Sequence, residues 1–531
     1  MQKVILLTTT ETTKRTSLLP SIADFLFIAI FLLVSVHLGK SLLNDGDTGY
    51  HIRAGEYIMK TMKVPQYDMF SYLTPPLPWT AHEWLSEVIM ALVHSAFGLT
   101  GVVVFFSFFI ALTAMLLFET IHASDKNILI SLAVVILATA SSGLHWLARP
   151  HIFSFPLTLA WYHILCLYQY KDRNLLYVLP LLMLLWVNLH GGFMGGFILL
   201  SVFLAGNAFE ALCSGCDRQK ALARLKALSV ATALCLAVTV VNPYGYYILL
   251  FPFKLTSSGY LMDSISEFMS PNFHERYAKG FELYLILLIA AFAWSRKKLD
   301  VFDVLLIALF LHMSLYSARY IPLFAIVAAR ILSRMLNDGL HEKDTAFSRF
   351  MERRSMNISR LDATAMRYLW PAASVVLVVY FAVTGRISYG FEPKTKPVAA
   401  TEFIKRERIA GNMFNSDEFG DYLIYAAAPS YKVFIDGRLD MYGAERLKEF
   451  RQVTAFQQGW EKVFEKYGIT WVIYEANSHL SRYLLLNKDW KLIYADEAAN
   501  IFVKNIPQYR DLIDRYRAVT PVIVDDKKEP A

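Results

Sequence analysis

Charged residues are scarce in this sequence. Only 18% of its 531 residues are Asp, Glu, Lys or Arg, whereas 55% are hydrophobic. Soluble globular domains carry roughly 25% charge. The composition therefore argues against an ordinary soluble protein and predicts a polytopic membrane protein with room for one domain outside the membrane. The formal net charge of +7 comes from basic residues in short loops between apolar runs, so we expect no nucleic-acid partner.

Cysteine is also rare, and several nucleotide and nucleophile motifs are missing. Of the four cysteines, Cys213 and Cys216 form an isolated CxxC with no second pair or nearby His. Reduced thiols at helix ends are therefore favoured over a zinc or redox site. The chain contains no G-x-S-x-G, P-loop or G-x-G-x-x-G sequence, so no motif predicts a nucleotide site. No small-x-small cleavage site follows the first apolar run, which argues against a cleavable signal peptide.

Long apolar runs fill the first 390 residues. About 20 apolar residues are needed to cross the hydrocarbon core as a helix. Eleven segments approach this length, and we predict a membrane-spanning helix in each: 19–38, 101–121, 128–146, 152–168, 175–190, 195–214, 227–243, 281–295, 301–317, 320–334 and 368–385. The polar stretch 244–280 is predicted to be re-entrant or interfacial.

Loop charge predicts the orientation of these helices. Lys and Arg gather in alternate loops, including residues 1–18 and the basic loop 335–365. Basic loops stay on the cytoplasmic side of a bacterial inner membrane. We therefore expect a multi-pass protein of the cytoplasmic membrane with a cytoplasmic N-terminus. Residues 41–86, called the acidic loop below, and residues 391–531 should lie outside.

The composition changes near Phe391, where a small α/β domain is predicted. Amphipathic helix patterns alternate there with short β-type runs, so we expect a partly parallel sheet. The predicted strands are 412–415, 432–436, 469–474, 491–494 and 500–503. The chain thus divides into a mainly α transmembrane domain, residues 1–390 including the acidic loop, and an extracytoplasmic α/β domain, residues 391–531. We expect the second to bind an acceptor or partner.

The acidic loop contains the residues best suited to catalysis. Asp45 and Asp47 stand two residues apart at its start. A carboxylate at this place can act as general base toward an acceptor hydroxyl, and the pair can share a divalent cation such as Mg²⁺ or Mn²⁺. The alternative is that one of them caps a helix predicted over 47–59. A second interfacial helix is predicted over 82–97.

Other polar residues recur at the predicted outer ends of the helices, where they usually face a protein-lined cavity. Arginine there could hold a lipid phosphate through its fork of donors. The alternatives are a surface ion pair for Arg53 and Glu56, headgroup contact for the arginines, and ordinary helix-end hydrogen bonds for the Asn and His residues. The candidate substrate-binding residues are His51, Arg53, Glu56, His82, Glu83, Arg149, His151, Asn188, His190, Asn242, Arg319 and Tyr320.

This pattern resembles the GT-C superfamily of membrane glycosyltransferases, and more closely a largely uncharacterised bacterial branch of it. The resemblance lies in a short inner N-terminus, one span and a long first outer loop with an acidic pair. The matching runs are 45–56, His82-Glu83-Trp84-Leu85-Ser86-Glu87, Arg149-Pro150-His151, Asn188-Leu189-His190-Gly191-Gly192, Asn242-Pro243-Tyr244-Gly245 and Phe434-Ile435-Asp436-Gly437-Arg438. It implies sugar transfer with inversion, an acidic residue as base and polyprenyl phosphate as leaving group. Some members use a divalent cation and others do not.

The sequence therefore predicts a glycosyltransferase. It would move a sugar from a polyprenyl-phosphate-linked donor to a glycan, lipid or protein acceptor at the outer face, in contact with membrane lipids. A transporter or flippase of lipid-linked glycans and a glycan polymerase or ligase are the alternatives. A transporter should keep ionisable residues near the bilayer midplane, whereas here they gather at one face.

Overall fold

The computed structural model describes residues 18–125, 127–213, 215–342 and 345–522. The basic segment 1–17, which we expect in the cytoplasm, and the predicted polar tail 525–531 lie outside these ranges.

The first part of the chain is a bundle of helices. A helix covers each of the eleven segments predicted to span the membrane. Among the described residues, six helices are long and apolar enough to cross a membrane, and further apolar helices are shorter. The predicted fold class, a polytopic mainly α membrane protein, is confirmed. The helices are α1 Ile22–Leu32, α2 Asp47–Thr61, α3 Trp84–Asp125, α4 Ile128–Ser142, α5 Ser154–Lys171, α6 Leu179–Leu189, α7 Met194–Leu212, α8 Arg218–Thr239, α9 Tyr247–Thr256, α10 Gly259–Met262, α11 Lys279–Trp294, α12 Val301–Tyr316, α13 Ile321–His341, α14 Ala346–Asp362 and α15 Leu369–Val383.

The acidic loop contains helix α2 and leads into the first arm of α3, the part that precedes Gly98. Helix α3 bends at Gly98, whose φ of 63° suits glycine. The predicted interfacial helix 82–97 and the predicted span 101–121 are therefore two arms of one kinked helix. Helix α2 packs closely on the first arm, because a Cβ atom at Gly55 would overlap the backbone of Glu87.

The acidic loop and the basic loop lie at opposite ends of the bundle. The backbone N–H of Ile22, at the start of α1, donates to Asp362 Oδ1 over 2.6 Å. That of Ile128, at the start of α4, donates to Ser355 Oγ over 3.0 Å. Helix α14 of the basic loop therefore covers the end of the bundle at which α1 begins, whereas α1 leads into the acidic loop at the other end. This separation agrees with the alternation of loop charge.

The C-terminal domain is a four-stranded sheet with helices around it. Strands lie in the order β1-β2-β4-β3, with β1 and β2 parallel and the other pairs antiparallel. Trp471, Ile473 and Phe502 are fully buried in its cores. Its elements are α16 Val398–Glu407, β1 Asn412–Phe414, α17 Asp417–Ala427, α18 Leu439–Thr454, α19 Trp460–Lys466, β2 Ile469–Glu475, α20 His479–Leu486, β3 Trp490–Ala495, β4 Ala499–Lys504 and α21 Arg510–Arg515.

The predicted strand 432–436 is wrong as a member of this sheet. Its pairing is with the acidic loop instead, through an isolated parallel bridge between Val433 and Ser71. The Val433 N–H donates to the Phe70 carbonyl over 3.0 Å. Buried β-branched residues such as Val433 and Ile435 give the same sequence pattern whether the segment pairs with the sheet or with the acidic loop. The sequence therefore could not identify the segment with which they pair.

A buried arginine holds the C-terminal domain to the acidic loop. Arg438 Nη2 donates to Asp68 Oδ1 over 2.8 Å and to Asp436 Oδ2 over 2.6 Å, while its Nε donates to Asp436 Oδ1 over 2.7 Å. Its guanidinium carbon lies 4.6 Å from the ring centre of Trp79 and 5.0 Å from that of Phe70. These five residues are called the arginine clasp below. They fix residues 436–438 against the acidic loop.

Candidate active site

Helix α2 begins at Asp47, and the side chain of Asp45 caps its first turn. The N-cap residue is Gly46, which has no side chain to offer. Asp45 Oδ1 accepts the N–H of Asp47 over 2.9 Å instead. The capping alternative thus applies to Asp45, and Asp47 keeps its carboxylate for other contacts. Its Oδ2 lies 2.6 Å from Arg149 Nη2.

Arg149 lies among three carboxylates. Its Nη1 is 2.5 Å from Asp45 Oδ2 and 2.7 Å from Glu267 Oε1, in addition to the contact with Asp47. The backbone before it is fixed because the Ala148 N–H donates to the Leu42 carbonyl over 2.9 Å. The Arg149 side chain is only 17% exposed, so it points into the protein and not toward lipid headgroups.

The C-terminal domain completes this cluster with Asp421 and Gly437. The Gly437 N–H donates to Asp421 Oδ1 over 2.8 Å. A Cβ atom on Gly437 would overlap Asp47 Oδ1 and come within 2.9 Å of Asp421 Oδ2, so glycine is required there by close approach. We call Asp45, Asp47, Arg149, Glu267 and Asp421 the carboxylate cluster.

Burial and neighbouring charges shift the pKa values of three carboxyl groups in the carboxylate cluster. Burial raises the pKa of Asp47 well above its usual range, and the charges of Asp45 and Glu267 add to this while Arg149 opposes it. Burial and the charge of Asp47 also raise the pKa of Asp421. Burial works in the same direction on Glu267, yet Arg149 and Arg319 outweigh it and hold its pKa low. Asp47 thus holds its proton more readily than an ordinary aspartate does.

The predicted metal role of Asp45 and Asp47 does not fit this arrangement. The Arg149 guanidinium lies between their Oδ2 atoms, where a shared divalent cation would have to sit. Mg²⁺ and similar ions need several oxygen ligands around one point. No group of three or more His, Cys, Asp or Glu residues in the described ranges is placed to hold a metal ion. The proposed mechanism therefore includes no step at a metal ion.

A second cluster joins a glutamate to three histidines. Glu83 Oε1 lies 3.4 Å from His190 Nε2 and 3.7 Å from His82 Nε2, and its Oε2 lies 3.5 Å from His51 Nε2. His51 Nδ1 is 3.3 Å from Glu87 Oε1. Since His51 is on the same helix as Asp47, one turn further, the two clusters are neighbours. The structure thus brings together four of the predicted site residues.

Hydrogen bonds fix the tautomer of His190. The Gly192 N–H donates to its Nδ1 over 2.9 Å. Ser154 Oγ lies 2.7 Å from the same atom and accepts the indole N–H of Trp186 over 2.8 Å, so its hydroxyl proton is free to point at Nδ1. Nδ1 is therefore the acceptor, and the proton sits on Nε2, facing Glu83.

Five other predicted site residues make ion pairs or hydrogen bonds with neighbouring groups of the protein. Arg53 and Glu56 form the ordinary ion pair, with Nη1 and Oε2 2.5 Å apart, and Arg53 Nε also donates to the Tyr425 carbonyl over 2.7 Å. Asn188 and Asn242 bond backbone carbonyls at helix ends. His151 Nε2 lies 2.7 Å from the His145 carbonyl oxygen, to which it can donate. These contacts do not test the substrate role expected for the five residues, which stays a prediction.

Arg319 retains free donors beside the carboxylate cluster. Its Nη1 lies 3.9 Å from Glu267 Oε2, and its guanidinium carbon is 5.2 Å from the Phe268 ring centre. The side chain is 32% exposed, twice as open as that of Arg149. Tyr320 follows it and is half-buried. Glu267 therefore lies between Arg149, which contacts three carboxylates, and Arg319, which has one long ion pair.

Glu267, Asp421 and Gly437 were not predicted as site residues. Glu267 lies in the stretch 244–280, which has no strong pattern of its own. Asp421 and Gly437 belong to a domain that shows no catalytic motif. Nothing in the sequence near them signals their contact with Asp47, since the residues that meet are far apart along the chain.

Known proteins resemble this chain in structure but not in sequence. No protein-family model matches it, and no curated protein sequence is similar to it. The apo oligosaccharyltransferase of Archaeoglobus fulgidus matches with a TM-score of 0.54 at 13% identity, over 91% of this chain and 74% of that one. The oligosaccharyltransferase AglB of Archaeoglobus fulgidus, in complex with an inhibitory peptide and a dolichol-phosphate, matches with a TM-score of 0.56 at 13% identity, over 87% and 70%. Apo ArnT of Cupriavidus metallidurans has a TM-score of 0.49 at 10% identity, over 92% and 99%, and adds nothing to the argument.

These matches show the fold. The oligosaccharyltransferases are GT-C proteins, and the present chain shares their architecture over most of its length. The fold that the resemblance implies is therefore confirmed.

Proposed function

We propose that this protein is a membrane glycosyltransferase that moves a sugar from a polyprenyl-phosphate-linked donor to an acceptor hydroxyl at the outer face of the bacterial cytoplasmic membrane. The observation that carries the proposal is the position of Asp47. It is the first residue of α2, it is buried beside Arg149, and its pKa is raised. The same fold occurs in a transferase whose structure contains dolichol-phosphate.

Asp47 would act as the general base. It takes the proton from the acceptor hydroxyl, the oxygen forms a bond to the anomeric carbon, and the bond from that carbon to the phosphate oxygen breaks. Polyprenyl phosphate leaves with the electron pair, and this single displacement inverts the anomeric centre. A raised pKa suits the task, because a base is most effective when its pKa approaches the working pH.

Arg149 and Arg319 would take different parts. Arg149 already donates to three carboxylates, so it is a positioning residue that orients Asp47. Arg319 has one long ion pair and a partly exposed guanidinium, and its fork of donors matches a phosphate. It would stabilise the charge that develops on the departing lipid phosphate.

The placement of the polar groups favours a transferase over a transporter of lipid-linked glycans. A transporter needs its ionisable residues near the bilayer midplane. Asp47 and Glu83 instead lie in the acidic loop, and Arg149 and Glu267 lie in connections between helices.

The test is the pair of variants Asp47→Asn and Asp45→Asn. Both would be purified in lipid nanodiscs and given undecaprenyl-phosphate-linked sugars with a cell-envelope extract as acceptor. Mass spectrometry would follow released undecaprenyl phosphate and glycosylated product. A general base contributes typically 10²–10⁴-fold to rate, so Asp47→Asn should lower transfer by at least about a hundredfold with little change in melting temperature.

Glu56→Gln is the matched control, because it alters a carboxylate on the same helix that faces Arg53 and the surface. It should transfer at the normal rate. Normal transfer by both Asp→Asn variants would show that the pair is structural, and the proposal would fail.

A further inference from the structure

A groove runs between the acidic loop and the C-terminal domain, away from both clusters described above. It consists of two cavities of about 860 and 620 Å³. Tyr72 and Asn412 line both cavities, so the two cavities adjoin each other. One wall is formed by residues 72–77 of the acidic loop. The other is formed by the C-terminal domain, through the segment from α16 into β1, residues 430–432, α18 and the end of α19. We call this space the basic groove.

Positive charge dominates the lining of the groove. Six cations line it against two carboxylates, Glu445 and Glu449, and Glu449 is paired with a lysine at 2.5 Å. The smaller cavity is lined by three cations and by no carboxylate. The cations are Lys405, Arg408, Lys432, Arg446, Lys448 and Lys466. An anionic ligand would therefore meet positively charged side chains in both cavities of the groove.

Arg446 is buried with unused donors at the wall of the larger cavity. It is only 5% exposed, and its guanidinium carbon lies 3.5 Å and 3.9 Å from the ring centres of Phe434 and Tyr467. Nη2 donates to the Phe434 carbonyl over 3.0 Å. Its Nε and Nη1 have no hydrogen-bond partner within the described chain, and the nearest carboxylate oxygen, Glu449 Oε2, is 3.7 Å from Nη1. Both donors are themselves buried, so Arg446 contributes its positive charge to the wall of the larger cavity, and the exposed cations supply the contacts within the groove.

Arg408 and Lys432 mark the other end of the groove. Both are exposed, and neither forms an ion pair or side-chain hydrogen bond with any residue that the structure describes. Lys432 directly precedes Val433, which bridges the acidic loop. These two cations are therefore held in place by ordered backbone while their charges remain available.

The groove is connected to the carboxylate cluster through three consecutive residues. Tyr442, which lines the groove, donates its hydroxyl to Asp436 Oδ2 over 2.6 Å. Asp436 and Arg438 belong to the arginine clasp, and Gly437 between them lies against Asp47. The same two segments of chain thus form the groove and the site.

We propose that the basic groove binds an anionic oligosaccharide, the part of the acceptor that extends beyond the reacting hydroxyl. Its identity as acceptor rests on the proposed function, whereas its binding does not. Repeated carboxylate or phosphate groups along a saccharide match cations spaced along both cavities. Three tyrosines, Tyr72, Tyr431 and Tyr467, and two apolar residues, Leu73 and Leu77, also line the groove.

The test measures binding directly. Full-length protein in phosphatidylcholine nanodiscs would be titrated with fluorescently labelled hexagalacturonate, with maltohexaose as the neutral saccharide and hexaglutamate as the anionic peptide. We expect hexagalacturonate to bind best and to weaken as salt rises. Arg408→Gln combined with Lys432→Gln should lower its affinity by about tenfold, since two exposed charge contacts are lost.

The matched control is Lys488→Gln combined with Lys504→Gln, two exposed lysines on the β3–β4 side of the sheet that line neither cavity. It should bind like the unmodified protein. Equal binding of maltohexaose, tighter binding of hexaglutamate, or unchanged affinity in the groove variant would each overturn the proposal.

Asp47→Asn separates this proposal from the proposed function. It should bind hexagalacturonate normally although it does not transfer sugar. Normal transfer by Asp47→Asn with intact groove binding would reject the base and keep the groove. Failed groove binding with an inactive Asp47→Asn would reject the groove and keep the base.

Discussion

Replacing Arg438 by methionine should detach the C-terminal domain from the acidic loop. The Arg438 side chain is 1% exposed, and so is that of Asp68, while that of Asp436 is 0% exposed. Methionine fills similar space but leaves both carboxylates buried without their cation. Removing one partner of a buried ion pair costs about 3–5 kcal/mol. At about 2–4 °C per kcal/mol for a domain of this size, the melting temperature should fall by at least roughly 6 °C.

Two readouts would show this loss in nanodisc-embedded protein. Thermal unfolding gives the melting temperature, and limited proteolysis of the connection 384–397 reports release of the C-terminal domain. Arg438→Lys keeps the charge but loses the planar fork, so it should be destabilised less than Arg438→Met. Asp68→Asn in the methionine background should recover part of the loss, because one unpaired buried charge is removed.

Arg510→Met serves as the control, since Arg510 is exposed on α21. It should melt like the unmodified protein. If Arg438→Met also melts at the original temperature and its connection resists protease, the clasp does not hold the two domains together and the reasoning is refuted.

Three further predictions concern the site and the topology. Gly437→Ala should reduce transfer strongly in the glycosyltransferase assay while leaving undecaprenyl phosphate binding, measured by native mass spectrometry, intact, because its methyl group would overlap the Asp47 carboxylate. Transfer should rise with pH through the raised pKa of Asp47, and Asp421→Asn should shift that rise to lower pH in a pH–rate profile, because one neighbouring charge is removed. Stability should change in the opposite sense: both pKa values are raised in the folded state, so the folded protein binds more protons and loses stability as pH increases through this range. Cysteine labelling should find residues 335–365 inside and a reporter fused after Ala531 outside; a cytoplasmic reporter would contradict the orientation on which the outer-face site depends.

The membrane helices and the histidine–glutamate cluster could be predicted because each has a local signal. A run of about 20 apolar residues identifies a span wherever its neighbours are. His51 and Glu83 are candidates because they lie on the predicted interfacial helices of the acidic loop, and His190 because it lies at the outer end of a span. The structure places both histidines within 3.5 Å of Glu83.

The carboxylate cluster could be predicted only in part, because its members come from distant parts of the chain. Asp47 and Arg149 lie at span ends, as the other candidates do. Asp421 and Gly437 reach them through contacts between domains, for which a single sequence has no local pattern. The metal expected at Asp45 and Asp47 was inferred from spacing alone, and spacing does not reveal that a guanidinium fills the position between them.

The contact between the two domains also has a consequence for the order in which the protein is made. The arginine clasp joins residues 370 positions apart, so the ribosome has passed most of the chain before Asp421 and Gly437 exist. Until then the acidic loop emerges without its cover, and Asp47 is open to water and loses the burial that raises its pKa. Under the proposed function, a nascent or truncated chain would insert in the membrane yet remain idle. Sugar transfer would begin only after residues 391–522 have crossed the membrane and folded against the acidic loop, so activity would depend on a segment made long after the membrane helices.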